Sequence, residues 1–279
     1  MSRLSLVSLA IVGPLVGGCD LFTRDPPQRP PARSVNPAQT VLPATDDGWS
    51  LAATFTQGDA VDRAVILAHQ LASDRREWEP LLHRLRAPPA VTTLTVDLRG
   101  HGESVRGPLG DPVSWTSFGT DGAAWSGVVR DIEGAVRHLS RQGVRRVVLV
   151  GSSLGASACV RVGATRADVA AMVLISPGLR YHGIEVRDAF GAFIRGGERA
   201  RRVMILGAAE DAPVAEAIPA LSAAGVGRVE AETFAGERRH GVSLCNAHPE
   251  RWDRVEAFIR EVLELRRLAP NRVARDGGG

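Results

Sequence analysis

Hydrophobic positions in this chain come in short, nearly unbroken runs, separated by longer stretches with helical spacing. The runs at Ala64–Ala68, Thr93–Val96, Arg146–Val150, Ala171–Ile175 and Arg202–Leu206 are rich in Val, Ile and Leu, and Arg228–Phe234 is a further strand-like segment. Runs of this length and make-up predict strands buried on both faces. Between them, Glu77–Leu85, Ala123–Arg141, Leu154–Thr165, Val214–Ala223 and Arg251–Arg267 space their apolar residues as helices do. Val41-Leu42 and Leu51–Thr56, on either side of Asp46-Asp47-Gly48, predict an opening hairpin. Strand–helix alternation predicts an α/β domain over residues 40–268, a mostly parallel sheet of about eight strands with helices on both faces. Ser176–Ala200 has room for a loop or one short helix, a minimal lid. Tyr181, Phe190, Phe193 and Ile194 there would line an apolar pocket or pack onto the core. Trp115, Phe118 and Trp125 leave the same choice, with core packing the expectation.

Outside that domain the pattern changes. Arg3 precedes a mostly apolar run, Leu4–Val16, that is too short for a comfortable membrane span and reads as a signal peptide over residues 1–18. The run leads into Val16-Gly17-Gly18-Cys19, which resembles a bacterial lipoprotein signal with Cys19 as the lipidated residue. Ordinary signal-peptidase cleavage is the alternative. Residues 19–39 hold five prolines and few large apolar side chains, and read as an extended tether. The expected location is the bacterial cell envelope, on the outer side of the cytoplasmic membrane or in the outer membrane. Residues 269–279, ending in three glycines, are expected to be a disordered tail.

All 34 basic residues are arginine, and the net charge is +3. Basic and acidic residues are interspersed, so nucleic acid is not an expected partner. The lack of lysine excludes Ser–Lys dyads, lysine Schiff bases and a Walker-type P-loop. The motifs that mark nucleotide or zinc sites are not found, and no cofactor or metal is expected. Cys159 and Cys245 fall within the domain, and a bridge between them is not the expectation.

The candidate chemistry sits at Gly151-Ser152-Ser153-Leu154-Gly155, between a predicted strand and a predicted helix. A Gly-x-Ser-x-Gly pentapeptide arises by chance about 0.2 times in a chain of this composition, so its context carries the weight. Strand, tight turn and helix are what a nucleophile elbow requires. Asp211 and then His240 follow Ser153, each just after a predicted strand. A serine hydroxyl needs an adjacent base, and with no lysine that base is a histidine. Ser153 as a helix cap, and Glu210 in place of Asp211, are the alternatives. The other histidines read as structural (His69, His101), helical (His83, His138), in the lid (His182) or beside Pro249 (His248).

Val65-Ile66-Leu67-Ala68-His69-Gln70-Leu71, Asp97-Leu98-Arg99-Gly100-His101-Gly102-Glu103-Ser104, the elbow, Gly207–Val214 and Arg239-His240-Gly241 together resemble the α/β-hydrolase family, from about Val41 to Leu268. The resemblance implies Ser153 as nucleophile, His240 as base and then acid, and Asp211 as its orienting acid. It implies an oxyanion hole from the backbone N–H groups of Leu71 and Leu154. Gln70 stands where the family usually has Gly, and either holds the loop or supplies a side-chain donor. The implied activity is hydrolysis of carboxylic esters or related acyl compounds. A peptidase of the same fold and a non-catalytic binding lipoprotein are the alternatives.

Overall fold

The computed structural model describes residues 37–120, 122–196 and 201–265. The chain divides into two units, Met1–Ser34 and Val35–Gly279. The predicted signal peptide, Cys19, most of the tether and the C-terminal tail lie outside the described residues.

Eight strands form one sheet: β1 (Gln39–Val41), β2 (Ala53–Thr56), β3 (Arg63–Ala68), β4 (Thr92–Val96), β5 (Arg146–Ser152), β6 (Val169–Ile175), β9 (Arg202–Ala208) and β10 (Val229–Phe234). Their order is β1-β2-β4-β3-β5-β6-β9-β10. The opening hairpin pairs antiparallel, and β2 joins β4 antiparallel. Every other neighbour is parallel. A small second hairpin, β7 (Arg180–Tyr181) with β8 (Ile184–Glu185), stands outside the sheet.

Alternation along each strand splits the core in two. Ile66, Leu149, Leu174 and Ile205 face one side. There they meet α2 (Gly122–Arg141), α3 (Leu154–Thr165), α4 (Arg187–Arg195) and α5 (Ala212–Ala224). Leu67, Val150, Val173 and Leu206 face the other, against α1 (Glu79–Leu85), α6 (Val242–Asn246) and α7 (Glu250–Val262). Both faces are covered, which is why these strands read as unbroken apolar runs.

The helix predicted over Glu77–Leu85 divides. A 3-10 turn, Arg75–Trp78, is capped by Asp74, whose side chain accepts the Arg76 N–H, and α1 follows with Pro80 in its first turn. The last helix stops at Val262, short of the predicted Arg267. Residues 176–196 hold more structure than a loop or one helix, because the β7–β8 hairpin precedes α4. Phe190 and Phe193 are fully buried in the core and Ile194 is nearly so. The choice left open for these three is decided: they pack the lid down and do not line an apolar pocket. Each phenylalanine so buried contributes roughly 1.5–3 kcal/mol. Cys159 and Cys245 are both buried and unbridged.

Candidate active site

Four loops at the carboxyl ends of parallel strands, those after β3, β5, β9 and β10, build the site. After β3 the next helix, α1, packs on one face; after β5 the next helix, α3, packs on the other. The loops leaving β3 and β5 therefore diverge and open a crevice between them. That is where open α/β sheets take ligands.

Ser153 leaves β5 at this point of divergence and is half-buried. Its backbone has φ 49° and ψ −108°, a combination that a residue with a side chain rarely adopts. Its side chain makes no capping bond to α3, so the helix-cap reading does not apply. From Val147 to Val160 it is the only residue that is not buried. The flanking glycines explain how the turn closes. A Cβ on Gly155 would lie 2.2 Å from the Ala68 carbonyl oxygen, and one on Gly151 would lie 2.6 Å from the Ala156 backbone. Helix α3 thus packs directly against the end of β3, which only glycine permits.

Asp211 and His240 come from the loops after β9 and β10. His240 Nδ1 lies 2.5 Å from Asp211 Oδ2. The Asp211 side chain is 10% exposed and that of His240 is 45% exposed, so a sheltered acid holds a ring that reaches solvent. Glu210, the alternative acid, instead pairs with Arg238 at 3.1 Å. The His240 loop is shaped by Glu237. This buried carboxylate accepts the backbone N–H groups of Arg238 and Arg239, at 2.9 and 3.0 Å, and also pairs with the Arg239 side chain. Nothing in the sequence pattern distinguished Glu237 from other surface acids.

The loop after β3 is held from inside. His69 Nε2 accepts the Leu98 N–H at 3.0 Å, so its proton is on Nδ1, which donates to the Gln70 carbonyl at 2.6 Å. Burial pushes the His69 imidazole down to about 3, which keeps it neutral and structural. The Gln70 N–H donates to Glu77 Oε1 at 3.1 Å. Burial pushes the Glu77 carboxyl up to about 7. The Gln70 side chain turns toward the elbow, where its Oε1 accepts the Ser152 hydroxyl at 3.1 Å. Among the described residues the Leu71 and Leu154 N–H groups have no acceptor. Leu154 is the first residue of α3, where intrahelical acceptors are lacking.

His101 is buried, with Nδ1 3.0 Å from the Arg99 carbonyl and its ring stacked on Trp115 at 5.7 Å. Trp125 is buried against Phe118 and stacks on His182 of the small hairpin at 4.7 Å. These aromatics serve packing first, as expected. No group of His, Cys, Asp and Glu suited to a metal ion occurs among the described residues.

A family model for the alpha/beta hydrolase family matches residues 65–275. The chain belongs to the alpha/beta hydrolase family. Among curated proteins, lipase LipV of Mycobacterium tuberculosis is 30% identical over 131 residues, 47% of this chain and 43% of that one. The chain thus matches less than half the length of that relative. Among solved structures, an esterase of Pyrococcus furiosus, Pf2001, superposes with a TM-score of 0.62 at 17% identity, covering 82% of this chain and 98% of that one. A putative aryl esterase of Burkholderia cenocepacia gives 0.57 at 21% identity, covering 82% and 100%. At such identities the two structures bear on the fold alone.

Proposed function

We propose that this hydrolase-family protein is a serine hydrolase that cleaves carboxylic esters or related acyl bonds through an acyl-enzyme on Ser153. One observation carries the reading. A half-buried serine in strained backbone geometry follows β5, and from the same end of the sheet comes a histidine whose Nδ1 is held by a sheltered aspartate. Asp211 fixes the ring so that Nε2 is the basic nitrogen. His240 takes the Ser153 proton as the hydroxyl attacks the acyl carbon, then returns it to the leaving alcohol. Water repeats the cycle on the ester formed with Ser153. The developing oxyanion falls to the N–H groups of Leu71 and Leu154, which carry no other bond. The lipase relative LipV favours an ester over a peptide substrate.

The test is labelling by a fluorophosphonate probe. The parent should label, and Ser153→Ala should not. Ser153→Ala and His240→Ala should each lower ester turnover by several orders of magnitude, and the pair together by little more, because members of a triad act as a unit. Asp211→Asn should cost less, and Glu210→Gln almost nothing. A folded parent that neither labels nor turns over a panel of short and long acyl esters would be a binding protein.

We also propose, on the strength of Val16-Gly17-Gly18-Cys19 and the proline-rich stretch after it, that the chain is exported and lipid-anchored through Cys19, with the hydrolase domain held off a membrane.

A further inference from the structure

We infer that Ser176 is a positioning residue for His240, joining the nucleophile turn to the histidine loop; this rests on the serine hydrolase reading above. Ser176 stands one residue beyond β6. It is 1% exposed and has φ 51°, in the left-handed region that a residue with a side chain enters at a cost. Such strain persists only where the surroundings impose it. Here two bonds impose it. The Ser176 N–H donates to the Leu206 carbonyl at 2.8 Å, and Ser176 Oγ accepts the Gly241 N–H at 2.8 Å.

The neighbours of those bonds give them meaning. Gly241 directly follows His240 in the chain. Ile175, directly before Ser176, accepts the Ser153 N–H through its carbonyl at 2.9 Å. Two consecutive residues therefore hold the backbone of the nucleophile and the backbone beside the base. Gly241 is confined on its other side as well. A Cβ there would lie 1.5 Å from Gln70 Oε1 and 2.7 Å from Ser152 Oγ. The His240 loop is thus seated between the Ser176 hydroxyl and the Gln70 amide, and the hydroxyl supplies its directional bond. Without that acceptor the Gly241 N–H is left buried and unpaired, and the loop moves to satisfy it.

Glycine is the informative substitution, because it tolerates the left-handed backbone while removing the hydroxyl with its methylene. Ser176→Gly should stay folded, relief of backbone strain offsetting part of the lost bond, while its second-order rate of fluorophosphonate labelling falls about 10–100-fold, the scale of a small misplacement of a catalytic group. Ser176→Ala should lose labelling to the same extent. The same changes are then made in a His240→Ala background. A fall of about fivefold or more with His240 present, shrinking to under about twofold without it, is the signature of action through His240. Any other pattern overturns the inference. Failure of the parent reading is distinct: labelling would then be absent from the parent, or unchanged in Ser153→Ala, before Ser176 is altered at all.

Discussion

At the residue scale the decisive feature is a conformation that the sequence does not print. Ser153 pays for its exposure with φ 49° and ψ −108°, a strain of about 1–3 kcal/mol in general terms. That predicts a trade between stability and activity at one position. Ser153→Gly should be inactive yet more stable than Ser153→Ala by about 1 kcal/mol, because both lose the hydroxyl and only glycine accepts the backbone without strain. Urea unfolding of the two variants measures the difference. Equal midpoints would mean that the turn is not strained in solution. Glu210 and Asp211 show the same limit from another side. They are adjacent acids with similar chemistry, and only their directions separate them, one toward Arg238 and one toward His240.

Among the elements, the loop after β3 is where this chain departs from the usual hydrolase pattern, and the departure has a structural use. Gln70 fills the space between the elbow and the histidine loop, accepts the Ser152 hydroxyl and abuts Gly241. Its oxygen makes both contacts, which supports the proposal that the side chain acts on loop conformation and leaves the oxyanion to backbone N–H groups. Gln70→Gly should keep ester turnover within about tenfold of the parent, short of the 10²–10³ that loss of an oxyanion donor costs. A hundredfold fall at an unchanged melting temperature would make the Gln70 side chain a donor. The lid shows a different lesson. Its aromatic residues were compatible with a pocket or with packing, and Phe190 and Phe193 went to the core because α4 lies on the α3 face of the sheet.

Across the whole molecule, one buried network ties distant parts of the chain together. Arg99, after β4, bonds Asp131 of α2 through Nε at 2.9 Å and Asp47 of the opening hairpin at 2.7 Å. Asp131 is wholly buried. Arg99→Met leaves that carboxylate without its cation and should cost about 3–5 kcal/mol in urea unfolding, whereas adding Asp131→Leu should return much of it. A loss under about 1 kcal/mol would mean that water reaches the pair. The proposed anchor belongs to this scale too. Cys19→Ser should release the protein from the membrane fraction. Unchanged processing and retention would end the lipoprotein proposal.

Periodicity alone determined the order of the eight sheet strands and the longer helices between them, because a sheet covered on both faces needs apolar runs and its crossover helices need an apolar stripe. The Ser, Asp, His order was legible for a similar reason. Each residue sits at the end of a strand, and parallel strands bring all their ends to one side. What the sequence left open was direction and contact. Whether Ser153 capped its helix, which acid faced His240 and what Gln70 touched depend on side-chain orientation within a few ångströms, set by packing from segments far apart in the chain. Ser176, Glu237 and Glu77 belong wholly to the tertiary structure. A serine one residue past a strand and two acids among many carry no local signal. They matter here because Gly241, the backbone of Arg238 and Arg239, and Gln70 are folded against them.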